Sequence, residues 1–559
     1  MKKLAPWILA TGVSLLVGAG IGYLLFRPAG TPSARLAQSA KALWDLEFTP
    51  AQLDRLQTDL DEYRQAYQDL RTECAPPNSL APVLEFHPRP AAPPPAWLQA
   101  RVASADARFS GTDLERLAFA DIETLSALLR TRQITSEALT RMFLHRLEKA
   151  DPRLKCVVTL TAERALEQAR QADREISAGH YRGPLHGIPF GAKDLLAARG
   201  YPTTWGTPPY RKQQFGTDAT VLRKLEEAGA VLVAKLSLGE LAWGDVWFGG
   251  MTRNPWDLEQ GSSGSSAGSS AAVSAGLVPF ALGTETWGSI VSPCTRCGVT
   301  GLRPTFGRVS RTGAMTLSWS MDKIGPIART AADCATVLAA IQGPDGQDHT
   351  VMDVPFSLPA KAALGEVAIG YLPEIEGKPY AFQANDQAVL KILRGSGAKI
   401  ERLALPEKPI EPLAFILSAE AAAAFDELTR SGQLDRMVRQ ERDSWPVVFR
   451  SARFIPAVEY LQANRHRAKL VDAMNELMNR VDVLVAPSLH GQALLLTNLT
   501  GHPCVVVPNG FDADGHPTSI CFIGRLFDEA SPVAVAMAYQ AATDFHLRHP
   551  PAFHGAVNK

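Results

Sequence analysis

The chain has 559 residues, which allows one large domain with an appendage, because single cores usually stop growing at about 250–300 residues. It carries 57 basic and 57 acidic side chains, with a sequence pI near 7.2. This balance excludes the strong positive field of a nucleic-acid binder and favours a small, roughly neutral substrate, with no nucleic-acid partner. The seven cysteines have no regular spacing and do not predict a disulfide framework.

The first thirty residues differ in composition from the rest. Lys2 and Lys3 precede an uncharged stretch from Leu4 to Phe26, which at ~1.5 Å rise per residue reaches just past a ~30 Å hydrocarbon core. Small residues from Ser33 to Ala42 leave cleavage open. We interpret residues 1–30 as a signal anchor or signal peptide and favour the uncleaved anchor. The predicted protein is exported, periplasmic or otherwise extracytoplasmic, and held to the membrane by this helix if it is uncleaved.

Three further regions follow in chain order. Residues 31–75 are polar, with apolar positions such as Leu53, Leu56 and Leu60 at helical spacing, which predicts a helical extension. Residues 76–115 contain a cluster of prolines that neither continue a helix nor fit a central strand, which predicts a linker. Residues 116–555 form the main domain.

Helix-like and strand-like segments alternate in the main domain. Helices are predicted over Asp121 to Arg132, Thr135 to Ala150 and Ala162 to Ala178, and strands over Cys156 to Leu160, Ala230 to Ala234, Val367 to Leu372 and Val481 to Ala486. This alternation predicts a layered α/β domain with no repeat and no second boundary.

A lysine stands alone among apolar and small residues in the segment from Gly187 to Asp194. Desolvation lowers the pKa of a buried lysine, and a neutral amine is a usable general base near pH 7. Lys193 is therefore a candidate base. The alternative is a structural lysine that pairs with Asp194 or a more distant carboxylate.

Two serine-containing segments follow. The run from Gly261 to Ser270 is a flexible turn or a phosphate loop by composition, but it lacks the Lys that a GxxxxGK[ST] loop requires. In the segment from Gly283 to Ile290, a glycine before Ser289 permits a tight turn that aims successive backbone N–H groups at one point.

Together these segments resemble the amidase signature family. The resemblance begins at Asn254-Pro255-Trp256, runs through the serine loop and the Gly-Thr-Glu-Thr-Trp-Gly-Ser-Ile turn, and continues over Cys297 to Ser310. It extends upstream to Gly187 and downstream to the stretch from Asn498 to Pro503, covering about residues 116 to 550. Such proteins include peptide amidases and the glutaminase subunits of glutamyl-tRNA amidotransferases. The resemblance implies a single large α/β/α layered domain around a mixed, mostly parallel β-sheet.

The resemblance also implies the catalytic roles. The family's base falls on Lys193, its bridging serine on Ser265, with Ser266 the neighbour most easily confused with it, and its nucleophile on Ser289. The backbone N–H groups of the four residues from Thr286 to Ser289 form the implied oxyanion hole, namely those of Thr286, Trp287, Gly288 and Ser289. The remaining loop serines are interpreted as hydroxyls that satisfy backbone N–H groups. No cofactor or metal is implied, and a zinc site at Cys294 and Cys297 lacks obvious partner ligands.

Departures from the family pattern bear on the substrate. Trp287 replaces a glycine that many members carry, which adds bulk beside the oxyanion hole. Val291 replaces an arginine that would grip a carboxylate, so we expect a neutral acyl group. Glu285 replaces the usual aspartate of the turn, and the lining of the substrate site is not predicted.

The expected function is hydrolysis of a neutral carboxamide, from a small molecule or a peptide, to a carboxylate and ammonia or amine. One alternative is the glutaminase subunit of a tRNA-dependent amidotransferase, against which the predicted export segment argues. The other alternative is a catalytically silent binding protein on the amidase scaffold, against which the intact Lys193, Ser265 and Ser289 argue.

Overall fold

The structure is a computed structural model that describes residues 113–553 without a gap and, before them, residues 39–43, 49, 52, 62, 65, 78, 86–88, 95, 98 and 107–109. The chain divides into two compact units, residues 1–77 and 78–559. In the first unit, residues 39–43, 52, 62 and 65 are helical. The predicted anchor over Leu4 to Phe26 lies outside the described residues, and the boundaries proposed for the extension and linker stay predictions.

The helices of the larger unit are numbered in chain order. They are α1 (Ile122–Arg130), α2 (Ser136–Leu154), α3 (Ala162–Ser177), α4 (Thr220–Glu227), α5 (Ala267–Ser274), α6 (Val291–Cys297), α7 (Ala331–Ile341), α8 (Gln383–Gly395), α9 (Phe415–Ala424), α10 (Asp426–Arg430), α11 (Trp445–Ser451), α12 (Ala457–Met478), α13 (Ala493–Thr500) and α14 (Ala530–Ala541).

The strands are numbered in the same way. They are β1 (Val157–Leu160), β2 (Pro189–Lys193), β3 (Val231–Leu236), β4 (Val246–Trp247), β5 (Gly250–Met251), β6 (Arg253–Asn254), β7 (Asp257–Gly261), β8 (Phe280–Glu285), β9 (Thr300–Arg303), β10 (Lys323–Ala328), β11 (Ala368–Tyr371), β12 (Lys399–Arg402), β13 (Val483–Pro487), β14 (Cys504–Phe511) and β15 (Pro517–Gly524).

One eleven-stranded mixed sheet runs through the unit, in the order β1-β3-β2-β8-β10-β9-β14-β15-β13-β11-β12. The predicted α/β class with a mixed sheet is confirmed. The expected mostly parallel character is corrected, because in the described residues four neighbouring pairs are parallel and six are antiparallel. The central strands owe this to direct connections such as the hairpin between β14 and β15, which needs no crossover helix.

The sheet lies between two hydrophobic cores, as the side-chain alternation of strands requires. In β14, Val505 and Val507 pack in one core and Val506 in the other, and in β13 Val485 and Leu484 divide in the same way. Helices α1, α4, α7, α8 and α14 contribute to the first core, and α2, α3, α5, α6, α12 and α13 to the second. The result is a three-layer α/β/α arrangement.

The helices and strands predicted in the main domain all occur, with ends shifted by a few residues. Sequence reasoning missed two adjacent parallel strands, β2, which ends at Lys193, and β8, which leads into the turn that bears Ser289. Both contain glycine, which lowers β-propensity. Gly191 in β2 is required because a Cβ there would lie 2.3 Å from Leu236 Cδ1 of the neighbouring strand.

Candidate active site

Lys193 is the last residue of β2, and its side chain is fully buried. Its Nζ lies 2.8 Å from Ser265 Oγ, 3.1 Å from Ser266 Oγ and 2.9 Å from Thr284 Oγ1. These partners are hydroxyl groups, so the amine is surrounded by neutral groups that can both donate and accept. The structure brings the predicted base and the predicted bridging serine into hydrogen-bond contact.

The alternative pairing of Lys193 with Asp194 is wrong. Asp194 Oδ1 accepts a 2.6 Å bond from the buried Lys235 of β3, and its Oδ2 accepts from Thr204. The carboxylate is therefore already neutralised by another lysine.

Burial lowers the pKa of Lys193 to about 7, because desolvation penalises the ammonium form. The negative charges of Asp322 and Glu285 oppose this effect and favour the ammonium. Asp322 lies beside the turn from Thr286 to Ser289 and accepts a 2.6 Å bond from Thr286 Oγ1. The amine is thus set to exchange a proton near neutral pH.

The serine loop is attached to the turn that bears Ser289. The Gly264–Ser265 peptide bond is cis. The backbone N–H of Ser266 donates to the carbonyl of Ser289 over 3.1 Å, and Ser266 Oγ donates to the carbonyl of Thr284 over 3.0 Å. Ser266, the neighbour most easily confused with Ser265, therefore contacts the same lysine. It also joins the serine loop to the turn that bears Ser289.

The other loop serines were interpreted as partners of backbone N–H groups. This interpretation is wrong for Ser262 and Ser269. Ser262 Oγ donates to the carbonyl of Ser263, and Ser269 Oγ donates to the carbonyl of Leu282. Helix α5 begins without a side-chain cap. These hydroxyls satisfy carbonyl groups instead.

The turn from Thr286 to Ser289 connects β8 to α6. Gly288 has φ +82°, which favours glycine, and Ser289 is 8 % exposed. Within residues 113–553, no hydrogen bond to a protein group is recorded for the four N–H groups of this turn. They are available to a ligand oxygen. Trp287 is 45 % exposed, so its indole lies on the surface beside the buried Ser289.

Ser265 and Ser289 are not hydrogen-bonded to each other in the described part of the chain. Catalytic hydrogen bonds are often long or unaligned in the ligand-free state and tighten when substrate binds. The direct contact seen in this structure is the one between Lys193 and Ser265.

A narrow cavity lies beside Thr284 and Thr286. Its apolar lining is formed by Leu195, Ala242, Ala314, Met315, Leu317 and Ile324. Two of its charged residues are already engaged, since Arg311 pairs with Asp348 at 3.0 Å and Asp322 accepts three hydrogen bonds.

The cysteine pair considered for zinc is buried. Burial raises the pKa of both Cys294 and Cys297. Among the described residues, the one cluster with metal-ligand spacing is Asp512, Asp514 and His516, in the turn between β14 and β15. It does not include either thiol.

The family of the chain is decided by its likeness to known proteins. The family profile described as Amidase matches residues 138–497, more than half of the chain. This chain belongs to the amidase signature family. The curated A subunit of glutamyl-tRNA(Gln) amidotransferase from Roseiflexus sp. (strain RS-1) is 35% identical over 488 residues, covering 78% of this chain and 99% of the relative. The protein of the same name from Halorhodospira halophila is also 35% identical, covering 77% and 99%.

Solved structures of the amidase family have the same fold. Peptide amidase from Stenotrophomonas maltophilia superposes with a TM-score of 0.69 at 30% identity, covering 79% of this chain and all of that one. The A subunit of glutamyl-tRNA(Gln) amidotransferase from Thermotoga maritima gives 0.62 at 28%, covering 77% and 98%. The family resemblance and the expectation of an amide-hydrolysing enzyme are confirmed.

The predicted location is corrected by these comparisons. An exported, membrane-anchored enzyme was expected, and that location was used to argue against the tRNA-dependent class. The curated relatives described above carry the name of that class, so the prediction of export is wrong. The described residues also contain no helix with the length and apolar character needed to span a bilayer.

Thr284 and Asp322 are site residues that sequence reasoning missed. Thr284 contacts the lysine through its hydroxyl and Asp322 acts on it through its charge. Thr284 lies in the Gly-Thr-Glu run, so its place in the motif was a usable signal. Asp322 lies outside every quoted motif and offered none.

Proposed function

We propose that this amidase hydrolyses a neutral carboxamide through a Ser289 acyl-enzyme, with Lys193 and Ser265 as the proton relay. The observation that carries the proposal is the contact of the fully buried Lys193 Nζ with Ser265 Oγ at 2.8 Å, with no carboxylate bonded to the amine among the described residues. A buried lysine that is not hydrogen-bonded to a carboxylate is suited to act as a base.

The hydrogen-bond arrangement matches an uncharged amine. Such an amine has two N–H donors and one lone pair, and Lys193 has three hydroxyl neighbours. The hydroxyl of Ser266 donates its hydrogen bond to the carbonyl of Thr284, so toward the lysine it acts as an acceptor. If Thr284 Oγ1 accepts the second N–H, the lone pair is left for the hydroxyl proton of Ser265.

The reaction then proceeds through two proton transfers. Ser265 gives its proton to Lys193 and takes one from Ser289, whose oxygen attacks the amide carbonyl. The tetrahedral intermediate collapses as the reverse relay protonates the leaving amine, so the C–N bond breaks and an ester to Ser289 remains. Water, activated by the same relay, hydrolyses the ester and releases the acid.

The N–H groups from Thr286 to Ser289 are the proposed oxyanion hole. They lack protein partners within the described residues, and the turn that presents them bends at Gly288, which has a left-handed backbone conformation. A donor of this kind contributes roughly 3 to 4 kcal/mol to transition-state stabilisation.

Several observations support a neutral acyl group. Val291, at the position where many family members carry arginine, is fully buried at the start of α6. Six apolar residues line the cavity beside the turn, and its two basic residues are already engaged, since Arg311 pairs with Asp348 and Lys323 donates to Asn498. A free carboxylate there would have to compete for these two side chains.

The proposal is tested with the purified chain and a fluorophosphonate probe, which reacts with activated serines. We expect wild type to be labelled and to hydrolyse simple amides, and Ser289→Ala to do neither. Labelling of Ser289→Ala, or failure to label wild type, contradicts the assignment and restores the silent-scaffold alternative.

A second candidate is the glutaminase subunit of a tRNA-dependent amidotransferase, favoured by the names of the curated relatives. It predicts glutamine hydrolysis that rises when partner proteins are added and a stable complex with them. A chain that hydrolyses simple amides alone and binds no partner protein supports the proposed hydrolysis of a neutral carboxamide.

A further inference from the structure

A buried carboxylate spans the turn that carries Ser289. Glu285 is the last residue of β8, directly before the turn, and is fully buried. Its Oε2 accepts hydrogen bonds from the N–H groups of Ile290 and Val291, at 2.7 and 2.9 Å, directly after the turn. One side chain thus links the two ends of the four-residue segment.

The same carboxylate is held by side chains from two other elements, and a third element supports one of them. Its Oε1 accepts 2.6 and 2.8 Å bonds from Arg303 at the end of β9 and from Asn498 of α13. Lys323, at the start of β10, donates to Asn498 Oδ1 over 2.7 Å. These four side chains are at most 2 % exposed.

The hydrogen bonds among Glu285, Arg303, Asn498 and Lys323 involve two motif segments to which no role had been assigned. Arg303 belongs to the run from Cys297 to Ser310, and Asn498 begins the run from Asn498 to Pro503. Both runs meet at a single carboxylate beneath the turn.

We infer that Glu285, Arg303, Asn498 and Lys323 form a positioning network that fixes the curvature of the oxyanion turn and neutralises the carboxylate that does so. This inference rests on the proposed function, because it treats the turn as the oxyanion hole. The four residues act through the turn and do not contact the reacting atoms.

Two physical arguments support the role of the network. First, Glu285 occupies the N–H groups of Ile290 and Val291, which begin α6, and leaves those of the turn unbonded. Second, a bare carboxylate close to a developing oxyanion repels it, and the contact with the Arg303 guanidinium offsets that charge. The network therefore combines shape with charge compensation.

The test compares Glu285→Gln with a matched control, Glu529→Gln. Glu529 is also fully buried and pairs with a buried arginine, Arg308, at 2.7 Å, but it does not contact the turn. In each variant the glutamine NH₂ group replaces an acceptor oxygen and must face a donor, either the guanidinium or the backbone N–H groups, so both should lose thermal stability. We expect kcat of Glu285→Gln to fall by about 100-fold with KM little changed, because small displacements of catalytic groups cost that much. Glu529→Gln should keep a near wild-type kcat.

A wild-type kcat in Glu285→Gln, or an equal loss in both variants, overturns the inference. If Glu285→Gln does not fold, Asn498→Asp replaces it, since this change removes the donor to Glu285 but leaves the bonds to Ile290 and Val291. A loss of kcat by about tenfold is expected there, and an unchanged kcat overturns the inference. Failure of the proposed function is distinguishable, because it appears as activity in Ser289→Ala.

Discussion

Replacing Lys193 with methionine should abolish activity and yet stabilise the protein near neutral pH. Holding the amine in a site where its pKa falls from 10.5 to about 7 costs about 5 kcal/mol of folding free energy at neutral pH and below, at about 1.4 kcal/mol per tenfold change in protonation. Methionine has similar length and no charge, so it removes this cost. The three hydrogen bonds to hydroxyls are lost, at about 1 kcal/mol each.

The sign of this difference should reverse with pH. The unfolded lysine is protonated below 10.5 and the folded lysine only below about 7, so wild-type stability falls as the pH drops between these values and is constant below. At pH 6.5, Lys193→Met should be more stable than wild type by about 2 kcal/mol; at pH 10, where the protonation cost is below about 1 kcal/mol, it should be less stable by about 2 kcal/mol.

The assay is urea unfolding at the two pH values, followed by tryptophan fluorescence. Lys235→Met is the matched control, because Lys235 is equally buried but neutralises Asp194. Leaving that carboxylate unpaired should destabilise the control by about 3–5 kcal/mol at both pH values. A Lys193→Met variant that is less stable than wild type by the same amount at both pH values would refute the reasoning, since the folded amine would then be a paired ammonium.

Three further predictions concern activity. The value of kcat/KM should rise with pH through about 7 as Lys193 loses its proton. Asp322→Asn should move this rise to lower pH, because burial lowers the pKa of the amine and the Asp322 charge opposes that effect. If the pH–rate profiles of wild type and Asp322→Asn coincide, the assignment of Lys193 as the base is contradicted. Ser289→Ala should lose nearly all kcat/KM and Ser265→Ala less, whereas near wild-type rates in Ser265→Ala would exclude the relay. Trp287→Gly should raise kcat/KM for bulky acyl groups relative to acetyl amides in a substrate panel, because an exposed indole beside the turn is removed, and an unchanged order of substrates would exclude a role in selection.

The features of the site that lie within short segments were predictable from the sequence. The contacts between residues far apart in the chain were not. The glycine before Ser289 and the isolation of Lys193 are properties of short segments, so the residue types indicate the chemistry. The partner of Asp194 depends on which strand lies beside β2, and Lys235 is 41 positions away. The placement of Asp322 beside the turn likewise requires the folding of β8 against β10.

The same distinction explains the sheet. The parallel neighbours β2 and β3, and likewise β11 and β12, are each joined through a helix, as an alternation of helices and strands implies, although neither β2 nor β12 was among the predicted strands. The central strands β10, β9, β14 and β15 pair through hairpins and long-range contacts. For these pairs, hydrophobic periodicity does not indicate whether the strands run parallel or antiparallel. A turn of five residues joins β14 to β15, and the N–H of Asp512 donates to the carbonyl of His516 across it over 2.8 Å.

The register of β2 against β8 then sets the contact between Lys193 and Thr284. Ala192 is level with Leu282 in this parallel pair, so Lys193 follows beside Gly283 and reaches Thr284. A slip of one residue would turn the lysine to the other face of the sheet, away from the serine loop. Gly283 leaves room for that loop, because a Cβ there would lie 2.8 Å from Ser266 Oγ. The buried sheet thus stabilises the register through its two hydrophobic cores, and that same register holds an otherwise costly amine against its hydroxyl partners.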